Sequence, residues 1–227
     1  MRTLPHIVVA VALLFPAAAK AEFQISGYSG ANIANSGDAT INTPLVNGTF
    51  DIDWFGDSFE PPPYYGVRGT WWLTDFNLPR WGVAVDFTHA KAKADLDDPV
   101  VGASFETLEF TNGLNTVTLN GLYRMPLAGR FSAYAGAGAG AAFPHVEVTT
   151  IPDQGRTFEY QLTGPAVQGL IGARVELGRG FSLFGEYKAN YSWNDADLVG
   201  GGTLEADVLT HQFALGLSFA FGAPPQY

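Results

Sequence analysis

The sequence predicts an all-β fold, an eight-stranded antiparallel β-barrel of the type that spans a bacterial outer membrane. Three observations lead to this prediction: apolar and polar residues alternate along eight segments, connections alternate between short and long, and aromatic residues gather at both ends of the segments. Alternation also explains why 47% of the residues are hydrophobic while the mean hydropathy is only +0.07. Half of each strand faces lipid, so the chain does not need the runs of about 20 apolar residues found in helical membrane proteins.

The composition limits the classes of function. The chain has 227 residues, the size of one domain, and no cysteine, which excludes disulfides, thiolate metal sites and iron–sulfur clusters. The formal net charge is −10, and no basic stripe is present that would face the phosphates of a nucleic acid. We therefore expect no nucleic-acid partner.

The first residues have the pattern of a secretory signal peptide. A basic residue precedes the apolar segment 7–15, and small residues follow at Ala19 and Ala21. The apolar segment is too short for a membrane anchor. We expect cleavage after Ala21, which divides the chain into a signal peptide, residues 1–21, and a barrel, residues 22–227.

Each predicted strand has a period of two. The clearest is 181–194, where Phe181, Leu183 and Tyr187 alternate with polar residues. Short connections at one end and long polar ones at the other indicate that both termini face the periplasm. The predicted strands are residues 23–31, 64–73, 81–90, 116–124, 131–143, 167–177, 181–194 and 212–221. The short connections are 74–80, 125–130 and 178–180, and the long ones are 32–63, 92–113, 149–157 and 195–207.

A soluble β-sandwich or lipocalin-like barrel would also alternate, but with its apolar face inside. The unequal connections and two aromatic belts favour the membrane barrel instead. Trp71, Trp81 and Phe181 lie near the short turns, whereas Tyr65 and Trp193 lie near the long ones.

Because odd and even positions of a strand face opposite sides of the barrel wall, this alternation (strand parity) also places charged residues inside the barrel. An eight-stranded barrel is only wide enough to be filled by side chains, and buried charges must be paired, so we predict an ion-pair network. A proton relay through Glu186 and Lys188 is the alternative. The alternating glycines of residues 131–143 would leave room for Phe184 and Tyr134, or for a small cavity. The inward charged residues are Arg68, Asp86, Arg124, Arg174, Glu176, Glu186 and Lys188.

Continuing the parity toward the long loops predicts a polar patch on the outer wall, at the height of the outer leaflet. Two imidazoles with carboxylates nearby can bind a metal ion or transfer protons, and lipid headgroups are the substrate within reach. The alternative is that these residues lie above the membrane and are solvated, or that bulges at Pro144 and Pro165 reverse the parity. The patch comprises His89, Lys91, His145, Glu147, Glu159 and Gln161.

The acidic excess lies mainly in the long loops, where the partner would be anionic lipopolysaccharide. Carboxylates are ligands for divalent cations, which would bridge the two negative surfaces. Simple solvation of exposed loops is the alternative. The acidic residues are Asp51, Asp53, Asp57, Asp95, Asp97, Asp98, Glu106, Glu109, Asp195, Asp197, Glu205 and Asp207.

Seven motifs follow one another along residues 50–221, and residues 32–49 carry none. They are PPPYYGVRGTWW at 61–72, VDFTHAK at 85–91, LEFTNGLN at 108–115, PHVEV at 144–148, FEYQLTGPA at 158–166, FGEYKANY at 184–191 and GGGTLEAD at 200–207. Together they resemble the bacterial lipid A oxidase family of outer-membrane proteins.

This resemblance implies oxidation of the proximal glucosamine of lipid A to 2-aminogluconate, with O₂ as oxidant and peroxide as co-product. Since protein side chains alone activate O₂ poorly, a divalent metal or another redox centre is expected. His89 and His145 with Glu147 or Glu159 would form a 2-His-1-carboxylate set. We take these four residues and Lys91 as candidate catalytic residues.

Two other functions compete with the oxidase. The first is a non-catalytic small barrel with a structural, adhesion or surface-interaction role. The second is a conduit for a small hydrophobic ligand through the barrel wall. A barrel fold by itself does not discriminate among the three.

Overall fold

A computed structural model describes residues 22–110 and 112–222. The predicted signal peptide, residues 1–21, lies outside the described residues, as does the chain after residue 222. No helix in the described part is long and apolar enough to cross a membrane. A 3₁₀ turn spans Thr74–Phe76 and one short helix, α1, spans Pro99–Ser104. The strands are β1 Glu22–Ala34, β2 Gly37–Asn42, β3 Asn47–Ile52, β4 Trp54–Phe55, β5 Tyr65–Trp72, β6 Trp81–Ala90, β7 Lys93–Ala94, β8 Phe105–Glu109, β9 Leu114–Pro126, β10 Phe131–Ala142, β11 His145–Thr150, β12 Thr157–Tyr160, β13 Gly164–Gly178, β14 Phe181–Ser192, β15 Asp195–Asp197, β16 Thr203–Ala206 and β17 Val208–Phe221.

Eight of these strands close into a barrel in the order β1-β17-β14-β13-β10-β9-β6-β5. All neighbours are antiparallel, and β1 closes the ring because Phe23 lies opposite Phe221 on one side and Trp71 on the other. The predicted eight-stranded antiparallel barrel is therefore confirmed. Closure leaves no free edge in the ring, as a β-structure in lipid requires.

The apolar face of the barrel points outward. On β17, Phe213, Leu215 and Leu217 are 52%, 70% and 56% exposed, while Gln212 and Ala214 between them are buried. Exposed apolar side chains of this density belong in lipid rather than in water. The soluble alternative, which needs the apolar face inside, is therefore wrong.

Buried ion pairs fill the interior. Arg68 donates to both oxygens of Glu186, at 2.7 and 2.6 Å, and to Asp86 at 2.8 Å. Lys188 lies 3.4 Å from Asp86 and donates to the Tyr28 hydroxyl at 2.6 Å. Cross-linking of this kind blocks the lumen at its middle and holds opposite walls together.

A second group of charges lies toward the short turns. Arg124 makes two hydrogen bonds, at 2.8 and 2.6 Å, to Glu22, a buried residue that parity reasoning did not select. Arg174 donates to Gln24, and its guanidinium lies 3.8 Å from the partly exposed carboxylate of Glu176. The inward charges thus form two clusters at different depths of the barrel.

Glycines give the interior aromatic rings their space. A Cβ on Gly172 would lie 2.4 Å from the Tyr134 ring, and one on Gly216 would lie 2.4 Å from the Phe184 ring. The glycine row of β10 has different neighbours from those predicted. Gly136 and Gly138 accept the side chains of Leu122 and Asn120 from β9, because these strands are paired directly.

The long connections form two further sheets above the barrel. One has the strand order β12-β11-β8-β7-β4 and the other β15-β16-β2-β3. Phe50 of β3 meets Phe105 of β8 edge to face at 5.1 Å, and Trp54 stacks on Phe110 at 5.9 Å. These loops are therefore a folded cap with its own apolar core rather than irregular connections.

Candidate functional site

An open pocket of about 620 Å³ lies on the outer wall of the barrel. It is built at the long-loop ends of β5, β6 and β9 and bounded by the β11–β12 hairpin. Phe87 and His89 belong to it and continue the lipid-facing series Val83 and Val85 along β6. The pocket therefore opens on the lipid-facing side, at the height where the aromatic belt marks the membrane interface. Its aromatic walls are Tyr65, Phe87, Phe143, Phe158 and Tyr160.

His89 is held by neighbours on both adjacent strands. It lies opposite Tyr65 on β5 and opposite Asn115 on β9. The Tyr65 ring stacks on the imidazole at 4.9 Å between ring centroids, and Nδ1 lies 2.9 Å from Asn115 Oδ1. The residue is only 4% exposed, yet Nε2 makes no hydrogen bond, although the carbonyl of Pro62 approaches the ring.

His145 begins β11, and its N–H donates to the carbonyl of Gly113 at 2.9 Å. Its ring meets Phe158 and Tyr160 edge to face at 4.3 and 4.8 Å. The residue is 5% exposed and Nδ1 has no hydrogen-bond partner. Burial lowers the pKa of His145, so the ring is neutral at neutral pH.

Gly113 allows the two imidazoles to share one pocket. A Cβ at this position would lie 2.5 Å from His89 Nδ1, and its φ of +124° is one that other residues rarely adopt. The same residue accepts the hydrogen bond from the backbone of His145. The His89 ring and the His145 backbone therefore both contact this glycine, and each imidazole keeps one unpartnered ring nitrogen.

The predicted carboxylates do not complete a metal site with these rings. Glu147 is paired with Arg156, whose guanidinium also covers the Phe158 ring at 4.3 Å. Glu159 lies opposite Val146, which places it on the face of the hairpin away from His145. Among the described residues, no group of three histidine, aspartate or glutamate side chains could hold a metal ion. The 2-His-1-carboxylate set does not fit this arrangement.

Glu159 differs from its prediction because of a bulge. Ala142 lies opposite Gly164 and His145 opposite Tyr160, so two residues on one strand face three on the other. The extra residue reverses the alternation of faces between β12 and β13. Glu159 and Gln161 therefore do not share the outward face of β13. Gln161 instead bonds to the backbone of Asp197.

Lys91 is also away from the pocket. It is 2% exposed, and Nζ donates to the carbonyl of Glu60 at 2.7 Å beneath the connection that follows β4. Strand β6 ends at Ala90, one residue before Lys91, so the alternation that places His89 on the outer face does not extend to Lys91. We assign Lys91 a structural role in holding this connection.

Sequence reasoning missed Asn115 and the aromatic walls contributed by Phe158 and Tyr160. For Asn115 a signal existed, because it lies two residues before Val117 on the outward face of β9 and within the LEFTNGLN motif. Phe158 and Tyr160 gave no such signal, since their position depends on the bulge and on the hairpin folding back over the wall.

Comparison with known proteins supports the fold. The family model described as "Outer membrane protein beta-barrel domain" matches residues 7–221. The outer membrane protein OprG from Pseudomonas aeruginosa is 12% identical, with 89% of this chain and 96% of that chain covered and a TM-score of 0.51. A major outer membrane protein from Thermus thermophilus is 15% identical, with 88% and 99% covered and a TM-score of 0.49. No curated protein matches the sequence.

The identities to solved structures are low, so likeness to OprG concerns the fold alone. The family match spans almost the whole chain and agrees with the closed barrel, its outward apolar face and its aromatic belts. The chain belongs to the outer membrane protein β-barrel domain family and is located in the bacterial outer membrane.

Proposed function

We propose that this barrel is an O₂-dependent lipid A oxidase that converts the proximal glucosamine of lipid A to 2-aminogluconate. The observation that carries the proposal is the outer-wall pocket, in which two buried imidazoles, each with an unpartnered nitrogen, stand among aromatic rings. Lipid A is the sugar-bearing lipid of the outer leaflet, so its headgroup reaches such a pocket without leaving the membrane. The resemblance of the motifs to the lipid A oxidase family is independent support.

The chemistry of the pocket suits a sugar ring carried by acyl chains. Aromatic rings offer flat apolar surfaces against which a pyranose can lie, and the imidazole nitrogens offer partners for its hydroxyl groups. Arg156 at the rim is already paired with Glu147, so the two charges neutralise each other beside the opening. The pocket thus favours the neutral part of the headgroup.

The reaction balances with O₂ as the only oxidant. The anomeric carbon loses its hydrogen and the anomeric hydroxyl loses its proton, which gives a lactone. O₂ takes up the two electrons and two protons and becomes H₂O₂, and water then opens the lactone to the acid. In this scheme His89 and His145 accept and return protons at Nε2 and Nδ1. We assign no metal to these residues, because Glu147 is already paired with Arg156 and Glu159 lies on the other face of the hairpin; the redox centre expected for O₂ activation is therefore not formed by the predicted 2-His-1-carboxylate set.

The test is mass spectrometry of lipid A after expression in a host outer membrane. The host lipid A must carry a free hydroxyl at the proximal anomeric carbon, since a phosphate there would block the oxidation. We expect the proximal sugar to gain one oxygen atom in aerated cultures and none in anaerobic ones. Heat-dependent gel mobility should show that the barrel is folded.

Two variants and one matched control connect the activity with the pocket. His89→Ala and His145→Ala should abolish the mass change. His211→Ala should retain it, because His211 faces outward from β17, away from the pocket, with Nδ1 2.6 Å from the Tyr187 hydroxyl. A folded parent barrel that leaves lipid A unchanged would contradict the proposal and favour the non-catalytic structural or adhesion role.

A further inference from the structure

We infer that Asn115 is a positioning residue that holds His89 in the tautomer with its proton on Nδ1, leaving the lone pair of Nε2 directed into the pocket as the proton acceptor. This inference rests on the proposed function for its catalytic meaning. The tautomer itself is a property of the folded chain and can be measured without any reaction.

The contact between the two side chains defines the tautomer. Asn115 Oδ1 lies 2.9 Å from His89 Nδ1, and an amide oxygen only accepts hydrogen bonds. This contact is a hydrogen bond only when the proton of the neutral imidazole is on Nδ1. The other ring nitrogen, Nε2, is buried and makes no hydrogen bond; the Pro62 carbonyl, which approaches the ring, is the acceptor that the opposite tautomer would use. A buried polar atom that the protein leaves unsatisfied is available to a ligand.

The neighbours of the ring prevent it from rotating out of this contact. Tyr65 stacks on one face with its plane tilted by only 23°. Gly113 packs so closely that an added Cβ would lie 2.6 Å from both His89 Cε1 and Asn115 Oδ1. Asn115 is itself 4% exposed and belongs to a strand that pairs with His89. Ring, amide and glycine therefore form one packed unit.

The arrangement has a defined use in the proposed reaction. When the anomeric hydroxyl gives its proton to Nε2, the ring becomes positively charged. The Nδ1–H···Oδ1 bond to Asn115 then continues unbroken and orients the charged ring. Partners at the far nitrogen of a catalytic histidine act by this combination of tautomer and orientation, and their removal at metal-ligating histidines costs about 10–100-fold.

The experiment uses the full barrel, labelled with ¹⁵N-histidine and folded in detergent micelles. Nitrogen chemical shifts distinguish a protonated from an unprotonated ring nitrogen, and the spectrum of His89→Ala assigns the His89 signals. We expect Nδ1 protonated and Nε2 unprotonated in the parent. Asn115→Leu, which keeps the size but removes the acceptor, should shift the ring toward the Nε2-protonated form. Asn112→Leu, in the same pocket but not hydrogen-bonded to the ring, should leave the tautomer as in the parent.

Activity measurements complete the test. Asn115→Leu should lower the oxidation rate about 10–100-fold. A parent ring protonated on Nε2, or an Asn115→Leu ring with the same tautomer as the parent, would overturn the inference. If the tautomers are as expected but the parent oxidises no lipid A, the tautomer assignment stands and the proposed function fails.

Discussion

Replacing Arg68 with methionine should destabilise the barrel by removing the partner of a buried carboxylate. Arg68 makes both guanidinium hydrogen bonds that Glu186 receives, and without it Glu186 keeps only the Tyr134 hydroxyl at 2.8 Å. Asp86 is less affected, because Lys188, 3.4 Å away, continues to neutralise it. Breaking a buried pair by removing one partner costs about 3–5 kcal/mol.

This cost should depend on the charge that is left behind. In the double variant Arg68→Met with Glu186→Gln, the carboxylate becomes a neutral amide whose oxygen still accepts from Tyr134. Replacing both members of a buried pair by neutral groups is often close to neutral in stability. We therefore expect the double variant to recover most of the loss and to lie within about 1–2 kcal/mol of the parent.

The assay is urea unfolding of the barrel in lipid vesicles, followed by tryptophan fluorescence. A loss of about 3–5 kcal/mol corresponds to a change of roughly two to three and a half powers of ten in the unfolding equilibrium constant. Lys93→Met is the matched control, because Lys93 is 46% exposed and 4.0 Å from Glu109. Such surface pairs contribute about 0–1 kcal/mol. Equal destabilisation of the single and double Arg68 variants would refute the reasoning.

Three further predictions concern the pocket and the cap. The positive charge of Arg156 lowers the pKa of His145 and the negative charge of Glu147 raises it. Arg156→Gln should therefore move the acid limb of the pH–rate profile to higher pH, and Glu147→Gln should move it to lower pH. Identical profiles for the two variants would contradict this. Gly113→Ala should abolish oxidation in a folded barrel, because the added Cβ displaces the His89 imidazole. Gly121→Ala, whose added Cβ meets no atom within 4 Å, should leave the oxidation unchanged in the same mass assay. Chelation of Mg²⁺ should weaken binding of lipopolysaccharide vesicles to the acidic cap in a sedimentation assay, and unchanged binding would show that cations do not bridge the two surfaces.

The interior shows where parity reasoning works well. A side chain's face depends only on its position within an unbroken strand, so Arg68, Asp86, Glu186 and Lys188 could be placed inside the barrel from alternation. The partners of these charges could not be predicted, because pairing across the lumen depends on barrel closure. Glu22, which pairs with Arg124, belongs to the first strand, whose alternation is too irregular to show which residues face inward.

The candidate site shows where parity reasoning ends. His89 and His145 were selected by extending the outward faces of two strands, and the structure brings both into one pocket. Glu159 was selected in the same way and lies on the wrong face, since a single extra residue in the ladder reverses every later side chain. The sequence carries the prolines near this bulge but not its exact length.

Alternation, connection lengths and aromatic positions by themselves determined that this chain is an eight-stranded membrane barrel with charges inside. These properties are local and recur along every strand. Because the outer face of the barrel contacts lipid and its interior is filled by side chains, only one orientation of the alternating faces satisfies them. Only the tertiary structure decided that the long connections form a two-sheet cap, that Phe158 and Tyr160 close over His145, and that Asn115 and Gly113 pack against His89. The physical reason is that these contacts join residues distant in sequence, whose meeting depends on the register at one bulge and on burial of apolar groups in the cap.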